Sequence, residues 1–358
     1  MVFSEDIPLA GLTTFKLGGK AAGVAVCKNL EDIKAALALS RERGLPWYVI
    51  GGGSNLLVND AGYDGIMIKM EGKEMSFEDT EDKEASVGSN REAAVESDLK
   101  GKVLAIAEAG VVWDTFVEES ITLGLWGLEN LAGIPGSVGG APVQNIGAYG
   151  ADVSDTLAWV EALDTASGEL RRFTNKECAF SYRESLFKHD PSLIIMRVAF
   201  ILSKNSIPQI SYADLKAKAE KGSETGETLT TPRAIAHAVR EIRAGKFPDL
   251  AVSGTAGSFF KNPTLPQTTF ETLKAAYPEL PGYAAEGGMK ISLAWILDHV
   301  LNLKGYVKDH VRLFEKQPLV IVAEQGATSH DVDLLAHEIE SKVLVAIGIT
   351  LEREVRML

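Results

Sequence analysis

The residues whose type and spacing best suit chemistry in this chain are glycines. Leu123 to Gly150 holds eight glycines in 28 residues, and a second cluster, Gly51-Gly52-Gly53, runs into Ser54, Asn55 and Leu56. Glycine permits positive φ and lets backbone N–H groups approach a ligand closely, which is how loops cradle a pyrophosphate. A single Gly-Gly pair reads as a tight turn. Two clusters, together with the amides of Gln144 and Asn145, point to a dinucleotide. Their form excludes several classes. Gly51 to Leu56 breaks G-x-G-x-x-G at its third glycine, against a Rossmann turn, and no Gly-Lys pair is followed by Ser or Thr, against a P-loop. His337-Glu338 lacks the second histidine of a zinc-protease helix, and Ser54, Ser137 and Ser258 lack a nucleophile elbow. Cys27 and Cys178 form no C-x-x-C pair and the six histidines show no ligand spacing, so no metal site and no disulfide scaffold are expected.

The elements that must position these loops follow from pattern. Asn29 to Gly44 reads as a helix: Asn29 caps it, Glu31 and Asp32 occupy the first turn, Leu30, Ile33 and Leu37 share a face, and Arg41 and Arg43 precede Gly44. Leu45 to Ile50 then reads as a buried strand that delivers the chain into the first glycine cluster. Strands are expected at 103–107, 159–164 and 193–202, with a helix at 114–123. Beyond Thr231 the pattern becomes helix (232–244), strand (258–261), helix (292–301), strand (318–323) and helix (331–347), the last with a Thr328–Asp331 capping box. The change of texture near residue 230 marks a boundary in a mixed α+β chain.

The 358 residues carry 36 Lys+Arg against 49 Asp+Glu, a net charge of −13, and suffice for two or three domains. That charge argues against nucleic acid or an anionic membrane as a partner. Residues 71–102, with ten acids and five bases, read as a solvated insertion or loose hairpin without a role in chemistry. The acidic start, Met1-Val-Phe-Ser-Glu-Asp6, does not suit a secretory signal. The uncharged run Leu131 to Ala151 contains six glycines and two prolines and does not suit a membrane helix. A soluble cytoplasmic protein is the expectation.

A longer set of motifs is more specific than any of these features. Gly51-Gly-Gly-Ser-Asn-Leu56, Gly127-Leu-Glu129, Ile134-Pro-Gly136, Pro142 to Gly150, Phe180-Ser-Tyr-Arg-Glu-Ser185, Ala256 to Pro263 and Glu354-Val-Arg356 resemble, in order, the UDP-N-acetylenolpyruvoylglucosamine reductase family of peptidoglycan precursor synthesis. The resemblance runs from Thr14 to Arg356 and includes Ile210 to Leu215, which is similar to the loop of the subclass with a tyrosine-bearing substrate loop. It implies an α+β protein with an FAD-binding domain of the vanillyl-alcohol-oxidase (PCMH) type in two subdomains, 1–70 with the final strand 349–358, and 71–230. A C-terminal α/β substrate-binding domain would span 231–348. FAD would be bound non-covalently by Gly51, Gly52, Gly53, Ser54, Asn55, Leu56, Ile134, Pro135, Gly136, Ser137, Gly139, Asn145, Gly147, Ala148 and Tyr149, with NADPH as electron donor.

The implied chemistry is hydride addition to an enolpyruvyl double bond. It builds an enolate on the adjacent carboxylate that must be stabilised and then protonated. Arg183 matches the cation that holds this charge, Glu354 the carboxyl that assists the enolate if kept protonated, and Ser258 the proton donor. A lesser alternative for Arg183 is a surface residue pairing with Glu184, and read without the family Ser258 would be a satisfied strand serine. Tyr212, Lys246, Asn262 and Gln317 match substrate contacts to the UDP-sugar. Arg353 stands where proline is frequent before the catalytic glutamate, Thr255 where asparagine is frequent, and Gly305 to Gln317 departs from the family pattern. Two alternatives are weaker. An FAD alcohol oxidase of the same fold is disfavoured because the glycine loops hold no recognisable histidine anchor for covalent flavin. A non-catalytic nucleotide-binding protein is disfavoured by intact Arg183, Ser258 and Glu354.

Overall fold

The helix expected before the first glycine cluster runs Leu30–Arg43, and its ends explain its length. Asn29 Oδ1 accepts the Asp32 N–H at 3.0 Å. Acids in the first turn and arginines in the last complement the helix dipole, and Gly44 ends it in the left-handed region at φ 64°. The strand Trp47–Ile50 follows, parallel to Tyr63–Met70, with Trp47 opposite Ile66. Both belong to a four-stranded sheet of order Val2–Pro8, Lys20–Cys27, Tyr63–Met70, Trp47–Ile50. The computed structural model describes residues 1–80, 100–225 and 228–358.

The chain divides into two units, one of residues 1–3, 24–52 and 66–243, the other of 4–23, 53–65 and 244–358. The first unit contains a five-stranded antiparallel sheet of order Glu169–Thr174, Leu157–Asp164, Leu193–Ser203, Lys102–Glu108, Met75–Asp79. Along Lys102–Glu108 burial alternates, with Val103, Ala105 and Ala107 facing the core. The ends of the acidic stretch are therefore structural: Met75–Asp79 is an edge strand paired with Lys102–Glu108. The remainder of the expected insertion, 81–99, lies outside the described residues. The helix Trp113–Thr122 packs Trp113, Phe116, Val117 and Ile121 into the core, where the Phe116 and Phe200 ring centroids are 5.4 Å apart. The helix Pro232–Lys246 adds Ile235, Ala236, Ala238 and Val239 to the same core.

The second unit has its own core. Antiparallel strands Val311–Phe314 and Gln317–Ala323 pair with Val311 opposite Ala323. The helix Ser329–Ile347 contributes Val332, Leu335, Ala336, Ile339 and Val343. Its capping box is present as expected: Thr328 Oγ1 accepts the Asp331 N–H at 3.1 Å, and Asp331 Oδ2 accepts the Thr328 N–H at 2.9 Å. Two expectations need correction. The helix at 292–301 is α-helical only over Leu293–Trp295 and widens to a π-turn over Ile296–Val300. The strand at 258–261 consists of two single-residue bridges, Ser258 to Val320 and Phe260 to Arg353, because the segment takes one partner from each side in turn. Arg356–Met357 runs parallel to Leu56–Leu57, and Arg356 N–H donates to Asn55 O at 3.1 Å.

Candidate active site

Within the first unit the two glycine clusters meet. A Cβ on Gly52 would stand 2.7 Å from Gly136 Cα, so close backbone approach requires glycine there, and one on Gly51 would lie 2.4 Å from the Ser137 hydroxyl oxygen. The second cluster is fixed to the turn after Lys102–Glu108. Trp113 N–H donates to Gly136 O at 3.1 Å, Val138 N–H to Val111 O at 2.8 Å, and Gly139 N–H to Ala109 O at 2.9 Å. Gly51, Gly52, Ile134, Pro135, Gly136, Ser137, Gly139, Asn145, Gly147, Ala148 and Tyr149 lie in this unit, whereas Gly53, Ser54, Asn55 and Leu56 lie in the second. There Gly53 adopts φ 61° against Leu12 O, and Asn55 Nδ2 donates to Glu354 O at 3.0 Å. Two glycine segments in close backbone approach at Gly52 and Gly136, flanked by serine and amide groups, fit a dinucleotide such as FAD.

Arg183 is built into the glycine loop. Its Nη2 donates to Gly147 O at 2.6 Å and Nη1 to Asn145 O at 3.3 Å, with Asp152 Oδ1 at 3.5 Å. The Asn145 side chain ties the two loops from the other direction, donating to Ser181 O at 3.2 Å and accepting from Ser154 N–H at 3.0 Å. Ser185 Oγ adds a bond to Val143 O at 2.7 Å. Asn145, Tyr149 and Arg183 all adopt positive φ, at 42°, 49° and 59°. Non-glycine residues held there carry strain that the surrounding bonds must offset, a pattern that concentrates at functional sites. Glu184 takes Lys188 and His189, each at 2.8 Å.

Several residues around this loop escaped sequence reasoning. Gly133 is gripped at both ends: its N–H donates to Asp114 Oδ1 at 2.6 Å, and its carbonyl accepts Arg243 Nε at 2.9 Å. Burial lowers the Arg243 guanidinium pKa, with Tyr149 and Asp114 opposing that shift. Arg240 also holds Asp114, at 2.9 Å. The signal was the spacing of Arg240 and Arg243 on one helix face, whose acidic partner lies over a hundred residues away in sequence. Asn130 Nδ2 donates to both Tyr149 O and Gln209 O at 2.8 Å. This brings the predicted substrate loop to the glycine loop, with Tyr212 edge-on to Tyr149 at 5.3 Å between centroids. Burial pushes the Tyr149 phenol up to about 12, so it remains an O–H group at neutral pH. Buried Glu129, whose carboxyl burial also raises, accepts the Gly127 N–H at 2.6 Å, where φ is 126°.

The second unit brings Ser258 and Glu354 onto adjacent extended segments. Phe259 N–H donates to Leu319 O at 2.8 Å on one side, and Glu354 N–H to Phe259 O at 2.8 Å on the other. Thr255, at the position where asparagine is frequent, shapes the approach: its Oγ1 donates to Ile321 O at 2.7 Å and accepts the Gly257 N–H at 3.2 Å. Gly257 takes φ 79°, and no atom lies within 4 Å of where its Cβ would be. Asn262 Oδ1 accepts the Leu293 N–H at 3.0 Å, and Gln317 begins the strand that pairs with Ser258. Lys246 ends the helix Pro232–Lys246 and is half-buried. Arg183 is thus placed in the first unit, and Ser258 with Glu354 in the second.

Among the described residues no group of three or more His, Cys, Asp or Glu could hold a metal ion, and no helix is long and apolar enough to cross a membrane. Residues 21–174 match the FAD binding domain family model, and residues 249–358 match that of the UDP-N-acetylenolpyruvoylglucosamine reductase C-terminal domain. The chain is 40% identical over 352 residues to the UDP-N-acetylenolpyruvoylglucosamine reductase of Pseudomonas aeruginosa, covering 98% of this chain and 97% of that protein. It is 37% identical over 358 residues to the reductase of that name from Bdellovibrio bacteriovorus, covering 99% of each. Among solved structures, a UDP-N-acetylenolpyruvylglucosamine reductase from Thermus caldophilus shares the fold with a TM-score of 0.64 at 24% identity, over 98% of this chain and 97% of that one.

Proposed function

Because the chain belongs to the UDP-N-acetylenolpyruvoylglucosamine reductase family, we infer how its own residues carry out that reaction. It is an FAD-containing oxidoreductase that reduces UDP-N-acetylglucosamine enolpyruvate to UDP-N-acetylmuramate in peptidoglycan precursor synthesis, with NADPH as electron donor. In this reading residues 1–70 with 349–358 and residues 71–230 hold FAD without a covalent bond, and 231–348 take the UDP-sugar. The protein works in the cytoplasm, where both nucleotides are found.

The chemistry supplied by bound FAD is transfer of a hydride, taken from NADPH, to the carbon β to the substrate carboxylate. What remains for the chain is to hold and then quench the resulting enolate. Arg183 holds the charge on the carboxylate, its guanidinium oriented by the carbonyls of Gly147 and Asn145. The Glu354 carboxyl assists the enolate, and Ser258 Oγ delivers a proton to the α carbon. A hydroxyl is a weak acid, so Ser258 serves only a strong base at close range. Lys246 takes a UDP phosphate, Tyr212 closes over the sugar nucleotide from the loop docked on Tyr149, and Asn262 and Gln317 add polar contacts.

The observation that supports these roles best is the ladder that sets Glu354 N–H on Phe259 O at 2.8 Å and so fixes the glutamate beside the serine segment. Ser258→Ala tests it. Flavin reduction by NADPH is expected to stay near normal, while reoxidation by the enolpyruvyl UDP-sugar slows at least ~100-fold, a usual loss for a general acid. Equal slowing of both half-reactions would remove Ser258 from the proton-transfer role.

A further inference from the structure

The residue before Glu354 is tied into the second unit more heavily than a surface arginine needs to be. Arg353 Nε donates to Glu340 Oε1 at 2.6 Å and Nη1 to Asp333 Oδ1 at 2.6 Å. Nη2 lies 3.3 Å from Glu340 Oε2 and 3.1 Å from His337 Nδ1. Asp333, His337 and Glu340 share one face of the helix Ser329–Ile347 by their spacing. The guanidinium also stands 5.7 Å from the centroid of the Phe259 ring, next to Ser258 in sequence. A fork bound to one carboxylate by two nitrogens and to a second by a third holds both position and angle, which a lone ammonium does not.

The backbone explains why such a clamp matters. Lys261 N–H donates to Glu352 O at 2.9 Å and Glu354 N–H donates to Phe259 O at 2.8 Å. Phe260 and Arg353 therefore face each other in the wide, non-hydrogen-bonded position, where the pair itself contributes no ladder bond. The register of this single bridge is held by those flanking backbone bonds, and side chains on both faces reinforce it. Lys261, 8% exposed, pairs with Glu352 at 2.5 Å, and Arg353 anchors the alternate side to the helix. We propose that Arg353 is a positioning residue: its clamp on Glu340 and Asp333 fixes the register that sets Glu354 beside the Ser258 segment.

This inference rests on the roles given above to Glu354 and Ser258, and its test separates the two. In the flavin-loaded full chain, Arg353→Ala is expected to leave flavin reduction by NADPH within about twofold and to slow reoxidation by the enolpyruvyl UDP-sugar roughly 10- to 100-fold, the usual penalty for a misplaced group. Arg353→Lys falls between, since it keeps charge without the fork. Glu340→Gln, which alters only the clamp's partner, moves in the same direction and serves if Arg353→Ala does not fold. Amide hydrogen exchange gives a readout independent of turnover: the Glu354 and Lys261 N–H groups exchange at least about tenfold faster in each variant, while those of Leu30–Arg43 do not change. Unchanged exchange at Glu354 and Lys261 overturns the clamp. So does equal slowing of both half-reactions with a global loss of stability. If the wild-type flavin is not reoxidised by that substrate, the functional reading fails, and the exchange result still decides whether Arg353 sets the register.

Discussion

Gly147→Ala isolates the geometry of Arg183 without removing its charge. A Cβ at this position would lie 1.6 Å from Asp152 Oδ1 and 2.9 Å from Arg183 Nη1. Ordinary contact begins at about 3.5 Å, so the carboxylate must retreat by roughly 2 Å and the guanidinium nitrogen by roughly 0.5 Å. Asp152 is 49% exposed but its side chain caps Val153–Asp155 by accepting the Asp155 N–H, and Gly147 itself lacks a positive φ, so the cost to folding is expected to be about 1 kcal/mol, that of a lost cap. Catalysis has less freedom, because Arg183 also hangs on the Gly147 carbonyl at 2.6 Å. A misplacement of about 1 Å costs on the order of 100-fold, so a shift of roughly half that at the proposed charge-stabilising group is expected to cost about 10-fold, about 1.4 kcal/mol of barrier. Rapid-mixing absorbance, scored per bound flavin, is therefore expected to show that loss in reoxidation by the enolpyruvyl UDP-sugar, with reduction by NADPH near wild type. Wild-type reoxidation would mean that the carbonyl cage does not set the catalytic position of the guanidinium.

Other consequences follow from particular contacts. Gly52→Ala drives a methyl to 2.7 Å from the Gly136 backbone, which cannot swing away, so flavin absorbance per mole of purified protein is expected to fall sharply; full flavin content would refute the close packing of the two loops. Thr328→Ala should cost about 1 kcal/mol in denaturant unfolding through loss of the cap on Ser329–Ile347. Hydrogen bonds from the Thr328 hydroxyl and N–H hold the Asp331 carboxyl below its ordinary range, so this carboxylate stabilises the fold above its unfolded pKa and ceases to as pH falls through the lower folded value. Asp331→Asn should accordingly be less stable than wild type at pH 7 and converge with it in strong acid; a gap that persists there contradicts this linkage.

Local signals in the sequence carried local structure. Asn29 and Gly44 bracket their helix because capping and left-handed termination depend on neighbours only, and Thr328 with Asp331 marks its helix for the same reason. The glycine clusters announced close backbone approach but not their partner, since the contact of Gly52 with Gly136 joins positions far apart in the chain. The strand at 258–261 misread a segment whose ladder changes sides, and the π-turn at Ile296–Val300 has the same apolar spacing as an α-helix. For the site, the motifs named Arg183, Ser258 and Glu354 but not what holds them. The grip on Gly133 by Asp114 and Arg243, and the clamp on Arg353, consist of charged residues that sequence alone reads as solvated.

The most direct test of the functional account is the visible spectrum of the purified protein under anaerobic NADPH, followed by addition of the enolpyruvyl UDP-sugar. Flavin bleaching by NADPH and return of colour only when that substrate arrives is the predicted result. Bleached flavin that the substrate fails to reoxidise, or a protein that binds no flavin when FAD is supplied, would contradict it.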